Sequence, residues 1–363
     1  MEYVQERVTT LHDLTGPLPS APTDRAAVVV PMTEREYGGL APDRVLSQLE
    51  RLAPARVVVP LRASADRVGP FADWLDEFDL SLSVLWCNGS RLESLLDDHG
   101  LDGEFGKGRD VWLGIGQALD EEYVVVHDAD TQSYSRADVQ RLLFPLANGY
   151  DFSKGYYARV ENDRLYGRLF RLFFAPLVRA LSDSRDAPVL RYLAAFRYAL
   201  AGEFAVTTDL AKRLRPQRSW GLEIGTLGDA FAYAGFDGSA QVDLGTHEHD
   251  HRAVSGPTGL SDMSSHVARA LFRVVTDHGV DPDYETLPDR YREAAQSLVR
   301  SYELDAAFND LDYDRADELD QVATYAAAIE PPGPDRRLPT WVDAPLSPAD
   351  IAEAATADLE AVR

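Results

Sequence analysis

The chain has 363 residues, enough for one large α/β domain with an appendage or for two domains. Its 60 acidic and 36 basic residues give a formal net charge of −24, which excludes nucleic acid as an expected partner. No apolar run approaches the roughly 18 residues of a spanning helix, and a single cysteine, Cys87, excludes both an intramolecular disulfide and a cysteine-based zinc centre.

Only three of the positive residues are lysine, Lys107, Lys154 and Lys212, and the rest are arginine. Acid excess with lysine nearly eliminated is the pattern of a surface adapted to high salt, where screening makes self-repulsion tolerable. It also singles out the surviving lysines. The polar, proline-containing start, Met1–Pro22, has no apolar core of signal length, and with one cysteine this fits a reduced, cytoplasmic setting.

After this loose start, Arg25–Pro31 reads as a first strand, Leu40–Leu52 as a helix and Arg56–Leu61 as a second strand. Arg67–Phe78 reads as a helix and Leu80–Cys87 as a strand. Lys107–Leu119 is a helix entered through glycines, followed by an apolar strand at Tyr123–His127. This alternation implies a parallel, doubly wound sheet with helices on both faces. Ser135–Asn148 reads as a helix with Ser135 as N-cap. Tyr150–Val160 reads as a strand or hairpin, and Leu165–Leu181 as an apolar-rich helix. Gly202–Thr207 and Ser239–Leu244 read as strands around a helix near Gly221–Ala234. Helical patterns run from Asp283 to Ile329, and a last helix starts at Ser347-Pro348-Ala349-Asp350, where cap, proline and acid agree. The organisation expected is an N-terminal extension (1–24), two α/β halves (25–150 and 151–280) and a helical appendage (281–363).

The most informative stretch is His127-Asp128-Ala129-Asp130, directly after the apolar Tyr123-Val124-Val125-Val126. Ligands of open α/β sheets bind outside the carboxyl ends of strands. Two carboxylates one strand period apart can aim at one point, where they repel each other unless a cation sits between them. Gly106-Lys107-Gly108 opens the preceding helix, where small residues would let a phosphate approach the backbone amides and the lysine would add charge. Lys154, in Asp151-Phe152-Ser153-Lys154-Gly155-Tyr156-Tyr157, is followed by aromatics and Arg159 and could approach a phosphate or carboxylate. His247-Glu248-His249-Asp250-His251 places three histidines on one face if extended. Gly202-Glu203-Phe204 and Trp220-Gly221-Leu222-Glu223 each set a glutamate among apolar residues, where it needs a partner.

Taken in order, these motifs resemble the retaining glucosyl-3-phosphoglycerate synthase family of nucleotide-sugar transferases, from about Ala26 to Arg252. Gln241-Val242-Asp243-Leu244-Gly245 with His249 and Arg252 strengthens the match. The resemblance implies a GT-A fold, Rossmann-like, with Mg²⁺ or Mn²⁺ as cofactor. It makes Asp130 and His249 the metal ligands, with Asp128 nearer the ribose and metal shell. Lys107 would face the diphosphate, Glu223 the sugar or acceptor, and Arg168 would be the acceptor-binding arginine. Glu223 and Lys154 are the expected catalytic residues; Pro31, Glu34, Gly202, Glu203 and Arg252 complete the expected substrate-binding set. The donor implied is UDP-glucose or GDP-mannose, the acceptor a small anion with 3-phosphoglycerate first, and the assembly a homodimer.

The family pattern is not kept everywhere. Phe170 stands near its threonine, His251 at its asparagine, and Pro31-Met32-Thr33-Glu34-Arg35-Glu36 replaces its Pro-x-x-Asn-Glu. Glycerate or a lipid phosphate as acceptor, and a non-catalytic nucleotide-sugar-binding protein, are the alternatives. A haloacid-dehalogenase-type phosphatase wants Thr or Val where Gln132 stands, and its Asp-x-Asp on the first strand of the core.

Overall fold

The computed structural model describes residues 5–248 and 257–363. Its strands run β1 (Thr9–Leu11), β2 (Ala26–Val29), β3 (Met32–Thr33), β4 (Arg56–Arg62), β5 (Leu82–Trp86), β6 (Tyr123–Val126) and β7 (Phe152–Ala158). A small hairpin, β8 (Val160–Glu161) with β9 (Arg164–Leu165), precedes β10 (Phe204–Thr207) and β11 (Ser239–Thr246). The main sheet is ordered β1-β11-β7-β10-β6-β2-β4, with β3 and β5 both paired to β4. All its pairings are parallel except those of β10, which runs antiparallel to both β6 and β7. The expectation of a wholly parallel sheet is corrected on this one strand. The reversal has a consequence: β10 delivers its N-terminal end, Gly202-Glu203, to the edge where β6 and β7 deliver their C-terminal ends.

Both faces of the sheet are covered, which is why its strands are continuously apolar rather than alternating. Ala26, Val28 and Val30 pack on one face with Val45, Leu49, Phe71 and Leu142; Ala27 and Val29 pack on the other with Trp112, Leu113 and Phe173. Helices α1 (Leu40–Leu52), α2 (Ala65–Leu75), α3 (Ser90–Asp98), α4 (Lys107–Ala118) and α5 (Arg136–Ala147) cover the sheet in the expected alternation, except that α3 is an added helix between β5 and α4 that the sequence pattern did not predict. Ser135 caps α5 through a reciprocal box with Asp138, as its sequence implies. The run read as one helix over Leu165–Leu181 divides into a π-helical segment, Leu169–Phe174, continuing into α6 (Ala175–Ser184).

Beyond it lie α7 (Pro188–Leu193), α8 (Thr208–Ala211), α9 (Leu222–Tyr233), α10 (Pro257–Asp277), α11 (Leu287–Phe308), α12 (Arg315–Ala326) and α13 (Pro348–Glu360). The last helix returns to the first half of the chain. Asp358 accepts from the backbone N–H groups of Arg91 (2.9 Å) and Leu92 (3.0 Å), so it caps α3 from the far end of the sequence. Trp341 stacks on Trp112 with centroids 4.2 Å apart and donates its indole N–H to the Trp112 carbonyl at 3.0 Å. Among the described residues no helix is long and apolar enough to cross a membrane.

Candidate active site

Asp128 and Asp130 sit in the loop that leaves β6, past the last ladder residue, rather than on the strand itself. They line a cavity of about 480 Å³ together with Lys107, Gly202, Glu223 and Arg168. Lys107 is the electrical hub. Its ammonium lies 2.5 Å from Asp128 Oδ1 and 3.4 Å from Glu223 Oε1. Burial works against that charge, but Asp128, Glu223 and Glu203 outweigh it and hold the lysine above its ordinary range. Asp130 has the opposite balance. Burial and the neighbouring Asp128 carboxylate push its pKa well above the usual carboxylate range, and Lys107 only partly offsets them. A carboxylate in that condition is under-neutralised. A hard divalent cation placed between Asp128 and Asp130 would satisfy it, so the donor set fits Mg²⁺ or Mn²⁺.

Glu248, the last described residue before His249, is held beside the loop. Gln132 N–H donates to the Glu248 carbonyl at 2.7 Å, and Glu248 N–H to Ser133 Oγ at 3.2 Å. His249, Asp250, His251 and Arg252 lie outside the described residues. Among the described residues no group of three His, Cys, Asp or Glu side chains forms a metal-binding set. His247 departs from the expected shared histidine face. It is buried, stacked on Tyr157 at 4.0 Å, with Nε2 4.0 Å from Asp138 Oδ2, and burial, aided by the Arg159 charge, depresses it to about 4. It serves as a packed support under the site.

The glycines at the entry to α4 also differ from expectation. A Cβ at Gly108 would fall on the backbone carbonyl of Gln217, and one at Gly106 would meet Ser219. Arg109 N–H donates to the Arg218 carbonyl at 2.9 Å. The small residues therefore admit a neighbouring stretch of this chain, and no phosphate cradle is formed there. Gly202 is small for a reason inside the site: a side chain would collide with the Asp128 carboxylate.

Lys154, expected to reach substrate, is 1% exposed and lies behind the cavity wall. Its ammonium donates to the Ala201 carbonyl at 2.6 Å, beneath Gly202, and burial lowers it to about 8 against the pull of Glu223 and Glu203. Glu203 is likewise buried, its pKa raised by desolvation and by Asp128, with Lys107 and the Tyr157 hydroxyl opposing. These two residues hold the cavity floor. Pro31 and Glu34 stand at the same sheet edge, after β2 and β3; Glu34 accepts from Ser64 N–H (3.0 Å) and Oγ (2.9 Å).

Arg168 lines the cavity but is already engaged. It pairs with Asp317, and its Nε lies 3.2 Å from Glu318 Oε1, both on α12. Glu318 also binds Arg171 at 2.9 and 3.0 Å and the Tyr313 hydroxyl at 3.1 Å. Three lining residues were given no role from sequence: Arg159, Tyr198 and Trp220. Trp220, 43% exposed beside Glu223, offers an aromatic face at the wall. The Tyr156-Tyr157-Ala158-Arg159 pattern hinted at Arg159 and the Trp220-Gly221-Leu222-Glu223 motif at Trp220, while nothing pointed to Tyr198.

No family model matches the chain. A glucosyl-3-phosphoglycerate synthase from Methanococcoides burtonii is 33% identical over 390 residues, spanning 97% of this chain and 96% of its own. This chain belongs to the glucosyl-3-phosphoglycerate synthase family. The family's representative from Persephonella marina is 33% identical over 322 residues, covering 84% of this chain and 80% of that one. Among solved structures, the Mycobacterium tuberculosis glucosyl-3-phosphoglycerate synthase with phosphoglyceric acid matches with a TM-score of 0.56 at 21% identity, over 76% of this chain and 90% of that one. Its complex with Mn²⁺, uridine diphosphate and glucosyl-3-phosphoglycerate matches at 0.53 and 22%, over 72% and 82%. At such identities the structural likeness bears on the fold, which is GT-A.

Proposed function

We propose that this chain is a metal-dependent retaining glycosyltransferase that moves glucose from UDP-glucose to the single alcohol hydroxyl of 3-phosphoglycerate. The observation that carries this is the meeting of Asp128, Asp130, Lys107 and Glu223 on one cavity, in a chain 33% identical to a glucosyl-3-phosphoglycerate synthase over nearly its whole length. Mg²⁺ or Mn²⁺, held by Asp130 with His249 and bordered by Asp128, would supply the positive charge that stabilises the departing nucleotide diphosphate.

The remaining work falls to the protein. Lys107 exchanges part of its contact with Asp128 for the diphosphate and keeps its charge because three carboxylates surround it. Glu223, tied to Lys107, accepts hydrogen bonds from sugar or acceptor hydroxyls. Lys154 and Glu203 fix Ala201-Gly202, which sets how closely the sugar approaches Asp128. Pro31 and Glu34 border the nucleotide, and the family resemblance keeps Arg252 in the substrate-binding set. The chemical change is the loss of the bond from the sugar's anomeric carbon to the β-phosphate oxygen and the gain of one to the acceptor oxygen. The acid excess and the three lysines support a protein adapted to high salt, and the family resemblance supports a cytoplasmic homodimer.

The test is turnover with Mg²⁺ or Mn²⁺, UDP-glucose or GDP-mannose, and 3-phosphoglycerate or glycerate, at low and molar KCl. UDP release dependent on 3-phosphoglycerate is expected, reduced by about a hundredfold or more in Asp130→Ala. Undiminished turnover in that variant rejects Asp130 as ligand. No donor turnover under any of these conditions rejects the transferase.

A further inference from the structure

We propose that Arg159 is the residue that receives the acceptor's phosphate group. This rests on the transferase reading above and deepens its acceptor end.

The cavity that holds Asp128 and Asp130 opens onto a second one of about 570 Å³, walled by the β8–β9 hairpin and α11. Arg159, Tyr166, Gly167 and Tyr198 line both. Arg159 thus stands at the junction, at the end of β7. Its neighbour Ala158 accepts from His247 N–H at 3.1 Å, two residues before His249. A ligand on this guanidinium sits on the sheet edge that carries the paired aspartates.

Among the described residues the arginine has no close anionic partner. Its side chain is 21% exposed, yet its contacts are weak: 3.5 Å to the Tyr198 hydroxyl and 4.0 Å to Glu161 Oε1. Its buried Nε has no hydrogen-bond partner among the described residues. A guanidinium carries five N–H donors in a rigid fork, and keeping them largely unused in a semi-enclosed site is costly. A phosphate, near −2 at neutral pH with three acceptor oxygens, matches that fork and compensates the charge.

The other arginines on these walls are spent. Arg168 is held by Asp317 and Glu318 on α12, and Arg171 by Glu318 and the Leu165 and Tyr166 carbonyls. Arg197 pairs with Glu6 at 3.1 Å and lies over the Tyr156 ring. Arg164 lies 3.7 Å from Asp312 with its side chain 66% exposed, where solvent screens it. The position expected to bind the acceptor, Arg168, is thus neutralised by the C-terminal helices, while Arg159 nearby is not. In a chain of net charge −24, an acceptor that carries a dianionic phosphate needs such a local positive point.

The experiment compares wild type, Arg159→Ala, Arg159→Gln, Arg159→Lys and Arg168→Ala, with UDP-glucose and Mg²⁺, on 3-phosphoglycerate and on glycerate. Binding of 3-phosphoglycerate in the presence of UDP and Mg²⁺ is measured by calorimetry on the same proteins. Arg159→Ala is expected to raise the KM for 3-phosphoglycerate by about 30- to 100-fold, the loss typical of a charged, partly desolvated contact. The KM for UDP-glucose and turnover of glycerate, which lacks the phosphate, should change less than about twofold. The Lys variant should recover part of the affinity, having the charge without the fork. Arg159→Gln keeps most of the side-chain volume and carries the test should the alanine variant not fold. An unchanged 3-phosphoglycerate KM and binding constant, an equal loss on glycerate, or a larger loss from Arg168→Ala overturns the assignment. A wild type that binds 3-phosphoglycerate through Arg159 but transfers no sugar overturns the transferase reading while sustaining this one.

Discussion

Lys154→Met separates the stability of this fold from its activity. The Lys154 ammonium is buried among Glu203, Glu223, Asp128 and Lys107, and its burial lowers it from the lysine value of 10.5 to about 8. Between those two values the unfolded chain holds a proton that the folded chain has released, so folding becomes more favourable as pH rises through that window. Below it both states are charged and the full penalty applies: at about 1.4 kcal/mol per pH unit, on the order of 3 kcal/mol against folding at pH 7. Methionine has nearly the same length and removes the penalty. It also removes the hydrogen bond to the Ala201 carbonyl, made at 2.6 Å. Leaving that buried acceptor unpaired costs about 1–2 kcal/mol.

The net expectation is a variant about 1–2 kcal/mol more stable than wild type at pH 7. The advantage should shrink as pH rises toward 10, because the wild-type lysine then sheds its proton. Activity should move the other way, by about tenfold or more, because Ala201-Gly202 loses the contact that sets its distance from Asp128. Urea unfolding at pH 7, 8.5 and 9.5, alongside transferase turnover, reads both. A variant less stable than wild type by more than about 1 kcal/mol at every pH would refute the reasoning, since it would mean the glutamates neutralise Lys154 completely.

Two further outcomes follow from the same charge geometry and packing. In Lys107→Met, Asp128 and Glu223 lose their internal cation, so Mn²⁺ without nucleotide should bind about tenfold tighter while turnover falls. Calorimetric titration measures it, and unchanged or weaker Mn²⁺ binding contradicts the shared-carboxylate site. In Gly108→Ala, the added methyl meets the Gln217 backbone carbonyl, which cannot rotate aside, so the loss should exceed about 3 kcal/mol. A melting temperature within about 2 °C of wild type would show that the 217–219 segment yields instead.

The features legible in the sequence are those whose cause is local. Continuous apolar runs at Val28–Val30 and Val124–Val126 mark strands buried on both faces, and α1 was legible to the residue from its periodicity. Ser135 and Ser347 announce their helices because a capping box is complete within four residues. The paired aspartates, Lys107 and Glu223 were drawn together by the family resemblance, and the fold brings them to one cavity from a strand end and two helix starts. What escaped reading depends on distant partners. β1 is three residues long and exists through parallel pairing with β11, more than 200 positions away. The cap of α3 comes from Asp358, and the reversed direction of β10 leaves no mark on its composition.

The same division governs the charges, and there it bears on function. A sequence states which ionisable groups exist; the fold decides which of them cancel. His247 reads like a ligand until Tyr157 stacks on it, and Arg168 reads like an acceptor contact until Asp317 and Glu318 engage it from α12. The direct ion pairs of Lys107 are with groups that face the cavity, Asp128 and Glu223, so its contacts are open to exchange when a diphosphate enters. Arg168 is neutralised partly by the buried Glu318, which Arg171 and Tyr313 hold in place, and so cannot be redirected as cheaply. That difference in the mobility of the counter-charge, rather than the identity of the cation, is the ground on which we propose Lys107 and Arg159 as the positive groups that meet substrate.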